Sequence, residues 1–439
     1  MKVLCESWPQ AVQRDHASIR PLLLNSEDTR GGAARAAFRL HRGLRRIGVD
    51  ARMLVQIKHS DDASVLGPRS LAGSVLSRLR PALDFAPVLA YRRRGKGVYY
   101  PGWLPGRVGA RVRGLAPTLA HLHWITGGFL NVGSMRHWRL PLVWTLHDMW
   151  AFTGGCHYDE GCGHYRTRCG SCPVLGSQTR LDLSWLNWVR KRSAYRGLPL
   201  HVVAPSRWLA REAQASTLLG DFPVHVIPNG LDLDEYRPLD RLRARELLRL
   251  PPDHKLVLFG ATSGTSEARK GFSCLQSALT RLAAEWHGQA LTAVVFGAST
   301  PARPVDIGLP AIYMGSLRDD VTLALLYSAA DVYVAPSLQE NLSNTVMEAL
   351  SCGTPCVAFD IGGMPDMIEH GRNGYLARPF DPGDLAVGVR WILEEPARWR
   401  ELSARARAKV VEDFEIERVA RRHLDLYAEV VARAARIAA

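Results

Sequence analysis

Short apolar runs recur along this chain, and between them apolar positions fall three and four residues apart. The first set comprises Pro21-Leu-Leu-Leu-Asn25, Ala51-Arg-Met-Leu-Val55, His121-Leu-His-Trp124, Pro141-Leu-Val-Trp-Thr-Leu146 and Leu200-His-Val-Val-Ala204. The pattern restarts with Lys255-Leu-Val-Leu-Phe259, Leu291-Thr-Ala-Val-Val-Phe296, Ala311-Ile-Tyr-Met314, Asp331-Val-Tyr-Val-Ala335 and Pro355-Cys-Val-Ala-Phe359. Strand-length runs alternating with helical spacing predict parallel sheets wrapped by helices, the α/β class. The restart predicts two doubly wound domains in tandem, whose ligands sit at the carboxyl ends of the strands. Pro, Gly and Asn cluster from Ile227 to Pro238, where the seam is expected. Val419, Leu424, Leu426, Val430 and Val431 are spaced like one helical face, so the chain closes on a packing helix.

At 439 residues, 47% apolar and 22% charged, the chain can bury two cores, and its composition excludes wholesale disorder, a collagen-like repeat or a disulfide miniprotein. No apolar run reaches the roughly 18 uncharged residues of a spanning helix. Glu6, Arg14, Asp15 and His16 stand where a secretory leader would be apolar, so a cytoplasmic protein is expected. Charge is uneven: residues 1–200 carry 30 Lys+Arg against 12 Asp+Glu, and the remainder 26 against 30. That excess predicts an anionic partner, either a phosphorylated substrate, an anionic membrane surface or nucleic acid. No RNA-binding motif accompanies it, and nucleic acid is set aside. Between residues 60 and 120, Arg78, Arg80, Arg92, Arg93, Arg94 and Lys96 surround Leu76, Leu79, Leu83, Phe85, Val88 and Leu89. This is either an amphipathic membrane-surface segment or a solvated basic face.

Three loops carry candidate chemistry. Ser26 to Arg30 leads into Gly31-Gly32 between a strand and a helix, where glycines let backbone amides approach an anion; a plain tight turn is the alternative. Lys255 to Gly260 runs through a small-residue loop into Arg269-Lys270-Gly271, a fork and a point charge suited to a diphosphate. After Asp331 to Ala335 come Glu340 and, eight residues on, Glu348; carboxylates at a strand's carboxyl end can accept hydrogen bonds from sugar hydroxyls.

The segment Glu340 to Glu348, with Ser351-Cys-Gly-Thr-Pro355, Gly362-Gly-Met-Pro-Asp366 and Asn373-Gly-Tyr-Leu376, closely resembles the family 4 retaining glycosyltransferases of the GT-B fold. Ile227-Pro-Asn-Gly-Leu-Asp232, Arg269-Lys-Gly271 and Gly31-Gly32 match the family's other marks in order, so the resemblance spans roughly residues 20 to 430. Thr145-Leu-His-Asp-Met-Trp150, with the cysteines behind it, resembles the subgroup that makes bacterial exopolysaccharides such as colanic acid. The resemblance implies two Rossmann-like domains facing a cleft: residues 19–224 on the acceptor side and 225–414 holding a nucleotide-sugar, with a helix over 415–439 returning to the first domain. It implies donor sugar at Glu340, ribose at Glu348 and diphosphate at Lys270 and Arg269. Gly31 and Gly32 add amides, His147 reaches the reacting centre, and Asn341, Leu342 and Ser343 join the donor site. Ala261 stands where the family usually carries Arg, and residues 1–18, a loose extension, have no counterpart in it.

The expected reaction moves a sugar from a nucleotide-sugar to a glycan acceptor with retention, the acceptor being linked to polyprenyl diphosphate at the anionic inner leaflet of the cytoplasmic membrane. Fixed cations and amide dipoles suffice to stabilise the leaving diphosphate, so no catalytic cofactor is expected. Rival readings are a sugar-nucleotide epimerase, a phosphorylase, or a non-catalytic nucleotide-sugar-binding protein. Cys156, Cys162, Cys169 and Cys172 end in a Cys-x-x-Cys pair; their spacing predicts a structural zinc, with packed thiols or disulfides as alternatives.

Overall fold

The computed structural model describes residues 16–260, 268–297, 306–317 and 319–438. Most of the proposed extension, residue Ala261 and most of the small-residue loop before Arg269 lie outside them. The first sheet contains β1 (Pro21–Glu27), β2 (Arg52–Ile57), β3 (Val65–Leu66), β4 (Leu119–Leu122), β5 (Leu142–Thr145), β6 (Leu200–Ala204) and β7 (Val224–Val226). Its order is β3-β2-β1-β4-β5-β6-β7, every pair parallel. Around it lie α1 (Gly32–Arg46), α2 (Leu71–Phe85), α3 (Val108–Leu115), α4 (Leu183–Tyr195) and α5 (Arg207–Gln214).

The second sheet, ordered β10-β9-β8-β11-β12-β13 and also all parallel, contains β8 (Lys255–Gly260), β9 (Leu291–Phe296), β10 (Ala311–Tyr313), β11 (Val332–Ala335), β12 (Cys356–Phe359) and β13 (Gly374–Ala377). Its helices are α6 (Arg241–Leu248), α7 (Phe272–Glu285), α8 (Asp320–Ala329), α9 (Asn344–Ser351), α10 (Met364–Met367), α11 (Pro382–Glu394) and α12 (Pro396–Asp413), followed by α13 (Ile416–Ala438). Central strands are buried on both faces, which is why they read as continuous apolar runs.

The seam lies later than residue 225. His225 and Val226 pair with Val203 and Ala204 of β6, so β7 belongs to the first sheet. Ile227 packs in the first core, whereas Leu231 and Tyr236 pack in the second. Helix α13 returns to the first domain: Val419, Leu424, Leu426, Tyr427 and Val430 join the core built on Ile19, Leu23 and Leu40. Gly43 and Gly230 make this approach possible, since a Cβ on either would stand within 2.7 Å of an Ile416 side-chain carbon.

The domains are also joined by an arginine stripe. Arg35, Arg39, Arg42 and Arg46 share one face of α1 and meet Asp320, Glu348, Glu235 and Asp232 of the second half. Part of the first half's positive excess is thus neutralised inside the molecule. Helix α2, by contrast, buries only Asp84 and turns Leu71, Val75, Leu76, Leu79 and Leu83 outward. No helix among the described residues is long and apolar enough to cross a membrane.

Candidate active site

The carboxyl ends of both sheets open on one cavity of about 900 Å³, whose walls include Glu27, Arg30, Gly31, Gly32, Trp124, His147, Asp148, His157, Arg269 and Gln339. That size suits a nucleotide-sugar-sized ligand. Gly31 caps α1 with φ +90°, a left-handed value that favours glycine, and nothing lies within 4 Å of where its Cβ would be. The start of α1 therefore presents amides to open space.

Opposite, the turn Ala268–Lys270 leads into α7. Gly271 is obligatory there, because a Cβ would fall 1.8 Å from the Pro336 carbonyl oxygen. Arg269 Nη1 donates to the Gln339 carbonyl at 2.8 Å, and its guanidinium lies over the Tyr158 ring. Lys270 Nζ donates to Glu340 at 2.8 Å, with Arg269 at 3.6 Å from the same oxygen. Burial pushes the Glu340 carboxyl up, but Lys270 and Arg269 outweigh it and hold it below the usual carboxylate range. An ionised Glu340 thus positions the two cations.

His147 stands two residues past β5 and meets His123 Nδ1 through its Nε2 at 3.0 Å, the rings stacked. Burial lowers its pKa to about 4, so it is neutral near pH 7. Beside it, Asp148 accepts from the Trp124 indole at 3.0 Å and holds His157 Nδ1 at 2.6 Å. His157 Nε2 is buried with no hydrogen-bond partner among the described residues. This Asp148–His157 dyad was not anticipated as part of the site; an acidic residue following the histidine at a strand's carboxyl end was its only trace in the sequence.

Other expected donor contacts are placed differently. Glu348 is 3% exposed and does not line the cavity; it accepts from Arg39 at 2.7 Å and from the Tyr327 hydroxyl at 3.0 Å. Burial alone would lower the Arg39 pKa, but Glu348, Tyr236 and Asp320 together raise it, so this cross-domain pair is ionic. Asn341 bridges the domains, donating to the Leu146 and His147 carbonyls and accepting from Ser206. Leu342 is in the second core, and Ser343 caps α9 through Val346 N. These three side chains are committed to the fold.

The cysteines do not assemble as expected for zinc. Cys156 and Cys172 are hydrogen-bonded to each other in a small core with Tyr99 and Val174. Cys169 sits in the main first-domain core and accepts from Gly154 N at 3.1 Å; burial pushes its thiol up to about 12. Cys162 is half-buried. Among the described residues no three His, Cys, Asp or Glu are grouped to hold a metal ion. Three of the sulfurs thus lie in two adjoining apolar clusters, and Cys162 lies in neither.

Two parallel α/β domains clasping such a cleft define the GT-B class of glycosyltransferase. Solved structures agree on the fold. Sucrose-phosphate synthase from Thermosynechococcus elongatus superposes with a TM-score of 0.67 at 20% identity, covering 94% of this chain and 100% of that one. HepE from Anabaena in complex with UDP-glucose gives 0.61 at 20% identity, with the same coverage. Residues 30–235 match the family model Glycosyltransferase Family 4, and residues 254–395 match Glycosyl transferases group 1. The chain is a glycosyltransferase of family 4. Among curated proteins, D-inositol 3-phosphate glycosyltransferase 2 of Catenulispora acidiphila is 29% identical over 360 residues, 75% of this chain and 78% of that one. A second such enzyme from the same organism is 32% identical over 301 residues, 65% of each. These relatives carry the inositol phosphate name and not that of the colanic acid subgroup, so the matches support the family without supporting that subgroup.

Proposed function

We propose that the chain transfers a sugar, with retention and without a catalytic metal, from a nucleotide-sugar to an acceptor bearing phosphate. The observation that carries this reading is that Arg269 lines the same cavity as Gly31 and Gly32, with Lys270 beside it on Glu340. Cleavage of the anomeric C–O bond leaves charge on the departing diphosphate, which such positive groups would stabilise. The neutral His147 adds a polar contact without competing charge. Glu340 orients the cations and reaches the donor sugar, and Glu348 takes the ribose once Arg39 yields it. In that case Glu348→Gln weakens donor binding by about 1.5 kcal/mol, the value of one charge-assisted hydrogen bond, measured by titration with nucleotide-sugar; unchanged affinity would place the ribose elsewhere.

For the acceptor, the outward apolar face of α2, flanked by Arg78 and Arg80, supports a polyprenyl-diphosphate-linked glycan at the anionic inner leaflet, as in surface polysaccharide synthesis. Binding to vesicles should then require anionic lipid and weaken with salt; equal binding to neutral vesicles, or to none, would count against it. The relatives' name supports a second reading, a soluble phosphorylated polyol. Product mass from a panel of nucleotide-sugars with each acceptor class separates the two.

A further inference from the structure

A second cavity, about 540 Å³, shares no residue with the cleft and lies along the edge of the first sheet beneath α2 and α3. Arg52, Lys58, Arg69, Arg78 and Arg111 line it, and no carboxylate does. Among the described residues, Arg52 reaches Asp50 only at 4.0 Å, and Lys58, Arg69, Arg78 and Arg111 form no ion pair with a carboxylate. Lys58 and Arg111 are held by backbone carbonyls instead, of Asp62 at 2.7 Å and Gly67 at 2.9 Å. Those bonds fix the side chains without neutralising them.

Among the described residues, two buried polar atoms beside this cavity have no hydrogen-bond partner. Arg111 Nε is buried and donates to nothing, and Gln56, itself 5% exposed, gives its Nε2 to the Gly127 carbonyl while its Oε1 accepts nothing. Burial and the neighbouring Arg69 both lower the proton affinity of Arg111, the expected result of like charges gathered without a counter-ion. A site with convergent donors, one orphan acceptor and unbalanced positive charge is complementary to an anion carrying a hydroxyl. Arg presents its fork to phosphate oxygens bidentately.

We propose that this cavity binds a phosphate group carried on a polyol, separately from the donor cleft. The phosphate sits among Arg69, Arg78 and Arg111, and a neighbouring hydroxyl donates to Gln56 Oε1. The same chemistry is presented by the glycerol phosphate headgroup of an anionic lipid and by a free polyol phosphate. The position suits the lipid, because Ser74 and Arg78 of α2 line the cavity while Leu71, Val75 and Leu79, on the adjoining arc of that helix, are exposed.

The test uses the full chain without nucleotide-sugar, so it stands apart from the transferase reading. Calorimetric titration at 150 mM salt with glycerol 3-phosphate and with inorganic phosphate is run beside flotation on phosphatidylglycerol and phosphatidylcholine vesicles. We expect saturable binding, tighter for glycerol 3-phosphate than for inorganic phosphate. Arg69→Gln and Arg111→Gln should each weaken it at least tenfold, and Arg92→Gln with Arg93→Gln, outside the cavity, should leave it unchanged. Arg69 is exposed, so its variant tests the site even if Arg111→Gln fails to fold. Binding of phosphatidylglycerol vesicles alone supports the site with a lipid source; binding of glycerol 3-phosphate alone supports it with a free source. Binding of neither, or binding that Arg69→Gln leaves intact, overturns the proposal.

Discussion

Lys270→Ala should lower turnover about 10²- to 10³-fold, the usual loss when one fixed stabiliser of a developing oxyanion is removed. Among the described residues the Lys270 ammonium bonds only to Glu340, which holds this point charge beside Arg269. Arg269 is more constrained, holding the Gln339 carbonyl and stacking on Tyr158, and Arg269→Ala should cost less. Glu340→Ala should lower kcat more than donor affinity if, as proposed, it takes the donor sugar as well as holding Lys270. Steady-state release of nucleoside diphosphate, with melting temperature as a folding control, checks all three. Small and equal losses would show that the diphosphate is held elsewhere.

The second large effect is acid lability. His41, His147, His201 and His423 are held by burial at pKa values of about 4, and burial also lowers His121, His123 and His225. Each binds its proton more readily in the unfolded chain, where the value is about 6.5. Between about 4 and 6.5 the unfolded state therefore carries more protons, and stability rises with pH. The contribution is complete above pH 6.5 and is lost as pH falls toward 4. At pH 5.5 each of the four loses on the order of 1 kcal/mol, a serious fraction of a typical total of about 5–15 kcal/mol. His121, His123, His147 and His423 are ring neighbours, so a proton on one opposes a proton on the next. Urea midpoints at pH 7.5 and 5.5 should differ markedly; coincident midpoints would mean that these rings are not buried neutral.

The central strands were legible because strands covered on both faces are apolar throughout, whereas β3, β7 and β13 were not. Two to four residues at or near a sheet edge give no period, and Gly374 to Leu376 stands out in the sequence only as part of a motif. Arg35, Arg39, Arg42 and Arg46 stand at helical spacing in the sequence, but their partners lie roughly 190 to 310 residues away, and only tertiary structure shows that they face carboxylates. Glu348 shows the same long-range pairing: its sequence context suggests a sugar ligand, and only the fold shows that Arg39 and Tyr327 hold it before any ligand does. The cysteine spacing permits a tetrahedron, but spacing alone says nothing of the partners each sulfur meets, which here include Cys172 for Cys156 and the Gly154 amide for Cys169.

The central claim is that the cleft breaks a nucleotide-sugar and passes the sugar on. The direct test incubates purified chain with a panel of nucleotide-sugars and phosphate-bearing acceptors, following nucleoside diphosphate release and product mass together. The account predicts time-dependent release with one donor, matched by an acceptor heavier by one sugar and abolished or severely slowed in Lys270→Ala. Donor binding with neither release nor product across the panel would contradict it.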